Sequence, residues 1–266
     1  MRYGLILTMS AFLVLSAQLG SAQSATGLPW RATFDGGNFS EWNGFSNGTG
    51  ATVVSSGCVA GRCLRSPFVV GSVSDNYGDF HFGDFVTVRG PKVEEVWLSV
   101  WSKFEGVTAW PNRSQKIAIL NLTDGTTWTR HYQVTLLVWP NGEYGLERTD
   151  LDSWLFWGVN QNVGTPVRVR MNQWDRLKVY VRLNTPGRAD GVARMWVNGT
   201  LVLDHSNLNV RFNTNYGLNK LNLSTRATQA SVSGGTQWHD SFTLSESDPD
   251  GGSSSPGAPS NVRILQ

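Results

Sequence analysis

The stretch that decides the fold is WDRLKVYVRLNTPGRADGVARMWVNG, residues 174–199. In its first half apolar and polar residues alternate, which is the period-2 pattern of a strand with one buried face. Turn-forming Asn, Pro, Gly and Asp residues follow over 184–191, and a second strand is predicted over 192–197. Asn198 and Gly199 then turn the chain toward a third strand. The stretch therefore predicts a β-meander whose buried positions are Leu177, Val179, Val181 and Leu183.

The polar face of this meander combines cations with aromatic rings. Such a face on rigid strands suits a planar, negatively charged ligand, so we predict that it binds substrate. The alternative is a solvated outer face on which Lys and Arg stems cover apolar atoms. The predicted substrate-binding residues are Arg176, Lys178, Tyr180, Arg182, Arg194 and Trp196.

Alternating patterns also occur before and after the meander. In 115–122 the pattern predicts Ile117 and Ile119 inward with Lys116 outward, and in 130–139 it predicts His131 and Gln133 on one face. Outside the N-terminal segment there is no helical period of useful length, and the turns are rich in Gly. These features predict an all-β protein with a two-sheet antiparallel jelly-roll β-sandwich.

Composition and termini indicate an exported single domain. An apolar run and a small-residue cleavage site predict a signal peptide over 1–22, which makes the protein secreted or periplasmic. We expect the folded domain over 23–246 and a flexible Gly/Ser/Pro-rich tail over 247–266.

The net charge of +2 gives no basic excess for nucleic acid, and no later segment is apolar enough to span a membrane. We expect a monomer.

The chain has two cysteines, Cys58 and Cys63. In an exported protein this spacing predicts one disulfide that closes a short loop. No cofactor is required by the pattern, but a structural calcium ion is possible between Asp35 and Asp240 if the first and last strands pair. The alternative for these two carboxylates is ordinary turn and cap hydrogen bonding.

Five segments together resemble concanavalin A-like jelly rolls of the polysaccharide-lyase type, the glucuronan-, alginate- and heparin-lyase-like groups. The resemblance covers roughly residues 30–246 and implies the same sandwich fold. It also implies that the partner is a polysaccharide. The segments are FDGGNFSEWNGF, WLSVWSKF, KIAILNL, the 174–199 meander and QWHDSFTLSE.

Cleavage of a uronic-acid polymer by β-elimination needs a group that neutralises the carboxylate, a base and an acid. An amide suits the first role, and His or Tyr suits the others. Some lyases of this fold carry a Gln-x-His strand motif, which appears here in reverse as His131-Tyr132-Gln133. Some also carry a Tyr-x-Lys-x-Gly-x-Tyr strand motif, which the stretch from Tyr216 to Asn222 resembles without its final Tyr. The predicted catalytic residues are therefore His131, Tyr132, Gln133, Tyr216, Lys220 and Arg148.

Three other functions stay open at this stage. A non-catalytic glycan-binding module would stack its Trp residues on sugar rings, and a structural or adhesive sandwich would bind no small ligand. A glycoside hydrolase would need two carboxylates about 5–10 Å apart. Glu143 and Glu147 are four residues apart on one predicted strand, about 13 Å at strand rise, which is too far for such a pair.

Overall fold

A computed structural model describes residues 27–47, 50–72, 76–81, 92–124, 132–150, 154–157, 165–227, 230–231 and 233–251. The predicted signal peptide and His131 lie outside these residues. Within them the regular elements are β-strands: β1 (Trp30–Ala32), β2 (Gly44–Asn47), β3 (Thr52–Val54), β4 (Cys63–Phe68), β5 (Asn76–His81), β6 (Glu95–Glu105), β7 (Gln115–Thr123), β8 (Tyr132–Val138), β9 (Tyr144–Asp150), β10 (Trp154–Trp157), β11 (Asp175–Arg182), β12 (Gly191–Val197), β13 (Thr200–Leu208), β14 (Gly217–Ser224) and β15 (Gly235–Ser245).

The strands form two antiparallel sheets. Sheet A has the order β13-β12-β11-β6-β15-β4-β3, with β1 added on β15, and sheet B has the order β10-β9-β8-β7-β14-β5-β2. About half of the neighbouring strands are consecutive in sequence and the rest are not, so both sheets combine hairpins with crossover connections. This arrangement confirms the predicted all-β, two-sheet sandwich. No helix in the described part of the chain is long and apolar enough to cross a bilayer.

The meander forms as its pattern predicts. β11 and β12 pair antiparallel, with Lys178 opposite Trp196 and Tyr180 opposite Arg194. Asn198 and Gly199 have φ values of 51° and 84°, the left-handed conformation that a tight hairpin turn requires. The apolar residues of β11 lie in the core between the sheets. The β11–β12 pairing register that the sequence predicted is therefore correct.

One strand differs from its predicted alternation. The pairing of β7 with β8 shifts register between Lys116 and Ala118, which marks a β-bulge. A bulge adds one residue to a strand and reverses the faces beyond it. Ile117 and Ala118 therefore both join the core, while Ile119 lies outside that cluster. The prediction that Ile119 points inward was wrong, and the bulge places Asn121 on the outer face of sheet B.

Three buried polar side chains bridge the two sheets inside the core. Gln115 of β7 donates to the Gln237 side-chain oxygen at 2.8 Å, and Gln237 lies 3.0 Å from Nε2 of His239. His239 is fully buried, and desolvation lowers its pKa to about 3. The imidazole is therefore neutral in the folded protein at ordinary pH.

The disulfide between Cys58 and Cys63 is present, as predicted. The loop that it closes is held by the two carboxylates that we considered for calcium. Oδ1 of Asp35 accepts the Arg62 amide at 2.9 Å, and Oδ2 of Asp240 accepts the Val59 amide at 2.9 Å. These oxygens bind N–H donors, the alternative considered for them. Among the described residues no cluster of three or more His, Cys, Asp or Glu could hold a metal ion.

We expect Cys58→Ser to lower the free energy of unfolding by about 2–3 kcal/mol, because the bridge restricts the unfolded chain. Denaturant unfolding under non-reducing conditions measures this loss. Reductant should produce the same loss in the wild type and no further loss in the variant. A wild-type midpoint that reductant leaves unchanged would contradict the prediction.

Candidate functional site

A chain of hydrogen-bonded side chains crosses four strands on the outer face of sheet B. Thr149 of β9 donates to Gln133 of β8 at 3.3 Å, and Gln133 Nε2 donates to Asn121 of β7 at 2.9 Å. Asn121 Nδ2 in turn donates to Asn222 Oδ1 of β14 at 2.5 Å. We call these four residues the amide ladder.

Strand register explains why the ladder forms. Gln133 is the direct partner of Thr149 on one side and of Asn121 on the other. Directly opposed residues in an antiparallel pair point to the same face, with Cβ atoms about 4.5–5.5 Å apart. Asn121 pairs with Lys220, and Asn222 lies two residues farther along β14. Asn222 is therefore the diagonal neighbour of Asn121. Lys220 is therefore on the ladder's face, next to its Asn121–Asn222 end.

Hydrogen bonds in the ladder all run in one direction. Each amide oxygen accepts from the preceding member, so the side-chain orientations are fixed and each bond polarises the next. A primary amide has two N–H donors. Gln133 directs one of them at Asn121, and within the described part of the chain the other has no acceptor, so it is available to a ligand oxygen.

A carboxyl group lies beside the ladder on β9. Glu147 is two residues before Thr149 on the same strand, hence on the same face, and is paired with Thr135 of β8. Burial raises the pKa of Glu147, while the positive charges of Lys116 and Arg113 oppose that rise. Glu147 Oε1 and Thr135 Oγ1 are both buried and have no hydrogen-bond partner among the residues that the structure describes. This corner of the face therefore holds polar groups with unused hydrogen-bonding capacity.

The ladder is well shielded from solvent. Gln133 and Asn222 are each 8% exposed and Asn121 is 2% exposed. Electrostatic interactions are stronger in such an environment than in bulk water, so an oriented amide there stabilises negative charge more than a surface amide would.

Of the predicted catalytic residues that the structure describes, Gln133 and Lys220 lie together at the ladder. Tyr132 precedes Gln133 and points to the opposite face, where its ring lies 5.7 Å from the ring of Tyr216. Arg148 is also on that side. It is fully buried, donates to the Val210 carbonyl and lies 4.2 Å from the Phe212 ring. These three residues form a packing cluster at one end of the core, so we do not include them in the site.

The predicted substrate-binding residues lie on sheet A, on the opposite side of the sandwich. Intramolecular partners explain the positions of Tyr180, Arg182 and Arg194. Tyr180 donates to Glu95 at 2.7 Å, Arg194 binds Asp204 at 2.7 Å, and Arg182 donates to the Asp190 carbonyl at 3.1 Å. Tyr180 is only 1% exposed. The predicted cationic face and Gln133 therefore do not line one common groove.

Sequence reasoning missed Asn121, Asn222 and Thr149, and it considered Glu147 only as a hydrolase pair with Glu143. The Asn residues were visible in the strand segments LNLT and LNLS, each flanked by Leu on both sides. A polar amide between two core-facing Leu residues is a signal for a polar outer face. The signal was obscured in β7 because the bulge reverses the apparent alternation.

The fold is a two-sheet jelly-roll β-sandwich, and part of the chain is similar to a polysaccharide-lyase family. The polysaccharide lyase 14 family model matches residues 161–242, a region that includes the meander and β14. Among curated proteins, no sequence matches this chain significantly.

Solved structures share the fold at low sequence identity. The endo-β-1,4-glucuronan lyase of the fungus Trichoderma reesei has a TM-score of 0.56 and 13% identity, covering 81% of this chain and 94% of that one. A variant of alginate lyase Aly36B, in complex with an alginate tetrasaccharide, has a TM-score of 0.57 and 14% identity, with coverages of 82% and 94%. The PL-14 alginate lyase of Aplysia kurodai has a TM-score of 0.54 and 14% identity, with coverages of 78% and 91%.

Proposed function

We propose that this protein is an exported polysaccharide lyase that cleaves uronic-acid-containing glycans by β-elimination, with the amide ladder as the carboxylate-binding part of its active site. The observation that carries the proposal is the hydrogen-bonded row of Gln133, Asn121 and Asn222 beside Lys220. The family match over 161–242 and the lyase relatives support the same reaction.

Carboxylate neutralisation is the step that the ladder suits. A uronate C–H becomes acidic only when the negative charge of the adjacent carboxylate is reduced, because the carbanion otherwise places a second charge beside the first. The remaining N–H of Gln133 can donate to a carboxylate oxygen. Because the ladder already fixes its orientation, little reorganisation is needed when charge develops.

Lys220 supplies a positive charge on the same face. Its ammonium would strengthen the binding of the uronate carboxylate and stabilise the developing enolate. It needs no proton transfer for this role. Its placement two residues before Asn222, on the same strand, keeps the cation and the end of the ladder together.

The base and the acid are assigned from the sequence. His131 immediately precedes β8 and is two residues before Gln133, so we propose it for proton transfer. Tyr132 and Tyr216, the alternatives, pack at the other face of sheet B. Glu147, whose pKa burial raises, is a second candidate for the proton donor.

The direct test is absorbance in the ultraviolet, since β-elimination leaves an unsaturated uronate at the new chain end. Polyglucuronate, alginate and a heparin-type chain should be compared with a neutral glucan as control. We expect a rise with at least one polyuronate and none with the glucan. Retention of polyuronates without a rise would favour a non-catalytic binding module, and neither retention nor turnover would favour a structural sandwich.

A further inference from the structure

Indole rings and cations alternate along the outer face of sheet A, on the side of the molecule away from the amide ladder. Lys178 Nζ lies 5.3 Å from the Trp97 ring and 5.0 Å from the Trp196 ring. Lys103 Nζ lies 4.1 Å from the Trp238 ring on the same sheet. We call these five residues the tryptophan–cation surface. It crosses β12, β11, β6 and β15, which is about 14 Å at normal strand spacing.

The chain's own C-terminal segment lies on one end of this surface. Both carboxylate oxygens of Asp248 are 3.1 Å from Lys178 Nζ, and Asp250 is 3.0 Å from the same nitrogen. Asp250 also binds Arg176. Partial burial opposes ionisation of Asp250, but hydrogen bonds from Arg176 and Lys178 outweigh it and lower the pKa. Ordered contacts thus continue past Glu246, where we expected the domain to end.

These contacts show what the surface can bind. Lys178 is 13% exposed because two carboxylates and two indole rings surround it. Trp97 and Trp238 are buried, at 2% and 7% exposed, so Trp196 is the ring of this surface that a ligand can reach. An ammonium that lies over Trp196 and is directed at carboxylates is suited to a ligand that has both acidic groups and an apolar ring face. A uronic-acid polymer has this combination, because each sugar has a carboxylate and a face of C–H groups. A nucleic acid is less suited, given a net charge of only +2.

We propose that the tryptophan–cation surface is a second site, which binds an acidic polysaccharide without cleaving it, and that Asp248 and Asp250 occupy its carboxylate positions in the unliganded protein. Polysaccharide and the Asp pair would then compete for Lys178 and Arg176. The site lies on sheet A, so it does not depend on the function proposed for sheet B.

Binding to this surface can be measured in a Gln133→Ala background, which keeps turnover from degrading the polysaccharide. Affinity electrophoresis in gels that contain alginate or polyglucuronate is the readout. In the Asp248→Asn/Asp250→Asn double variant, loss of the competing carboxylates should tighten retention about three- to tenfold. Adding Lys178→Gln should return retention to the starting level or below. Asp204→Asn, which changes an ion pair elsewhere on sheet A, is the matched control and should have no effect.

Three results would overturn the proposal. The first is unchanged retention of the double variant, and the second is tighter retention that Lys178→Gln does not reverse. The third is equal tightening toward polyglutamate, which would assign the surface to acidic peptides. A salt-free melting curve of each variant checks that the fold is intact. Ultraviolet turnover assays on the wild type report on sheet B alone, so failure of one proposal is distinguishable from failure of the other.

Discussion

Gln133→Ala is expected to lower kcat on a polyuronate by about 10²–10³-fold, the loss typical when one oriented donor to a developing oxyanion is removed. The change deletes the amide that the ladder orients toward the ligand, while its neighbours Asn121 and Thr149 stay in place. KM should change less than kcat, because the charge that the amide stabilises is largest in the transition state. Single-substrate kinetics at saturating polyuronate measure both quantities.

The same substitution also affects stability, so the activity loss needs a control. Asn121 Oδ1 and the Thr149 hydroxyl lose their partner, which costs about 1–3 kcal/mol of unfolding free energy. Gln173→Ala makes the same chemical change at an exposed turn and should leave kcat unchanged. Gln133→Glu keeps the shape but places a negative charge against the substrate carboxylate, and it should lose at least as much activity. A Gln133→Ala enzyme within a few-fold of the wild type, folded at the assay temperature, would remove Gln133 from the mechanism.

The second large effect is expected from His239 in acid. Burial lowers the pKa of His239 to about 3, whereas the unfolded chain has an ordinary value near 6.5. Between these two pH values the unfolded state binds a proton that the folded state does not. The free energy of unfolding therefore falls by about 1.4 kcal/mol per pH unit as the pH drops from 6.5 toward 3, and by about 4 kcal/mol in total.

Replacing the imidazole tests whether His239 causes this loss of unfolding free energy in acid. In His239→Leu the side chain cannot titrate, so the stability curve between pH 6.5 and 3 should lose most of that slope. Urea unfolding at half-unit pH steps provides the curve. His205→Leu is the matched control, because burial also lowers the pKa of His205 but the carboxylate of Asp204 opposes that shift. If the two variants flatten the curve equally, His239 is not the dominant acid-sensitive group.

Much of the fold could be predicted because local pattern and tertiary environment agree. Alternation over β11 identified its buried residues correctly, and Asn198-Gly199 marked the hairpin that sets the β11–β12 register. The disulfide followed from two cysteines in a chain with a predicted signal peptide. Alternation failed in β7, where one extra residue reversed the faces, because nothing in a local sequence pattern marks a bulge.

The candidate site was only partly predictable for a different reason. Gln133 and Lys220 were chosen by motif. Their strands, β8 and β14, both pair with β7 in sheet B, so the two residues lie on neighbouring parts of one face. Tyr216 was chosen in the same way, and Arg148 was chosen as a candidate near the groove, but both lie on the core side. A motif states which residue types are present, but the face of each one depends on strand parity and bulges.

The sequence by itself determined that this chain forms antiparallel strands, which face of the meander is buried and that Cys58 pairs with Cys63. Those properties depend on residues that are close along the chain. Only the tertiary structure decided that Asn121, Gln133 and Asn222 form one ladder and that Asp248 and Asp250 bind Lys178. These groups meet because of the order of the strands in each sheet and the path that the chain takes after β15. Both are set by packing between segments that lie up to about a hundred residues apart in the sequence.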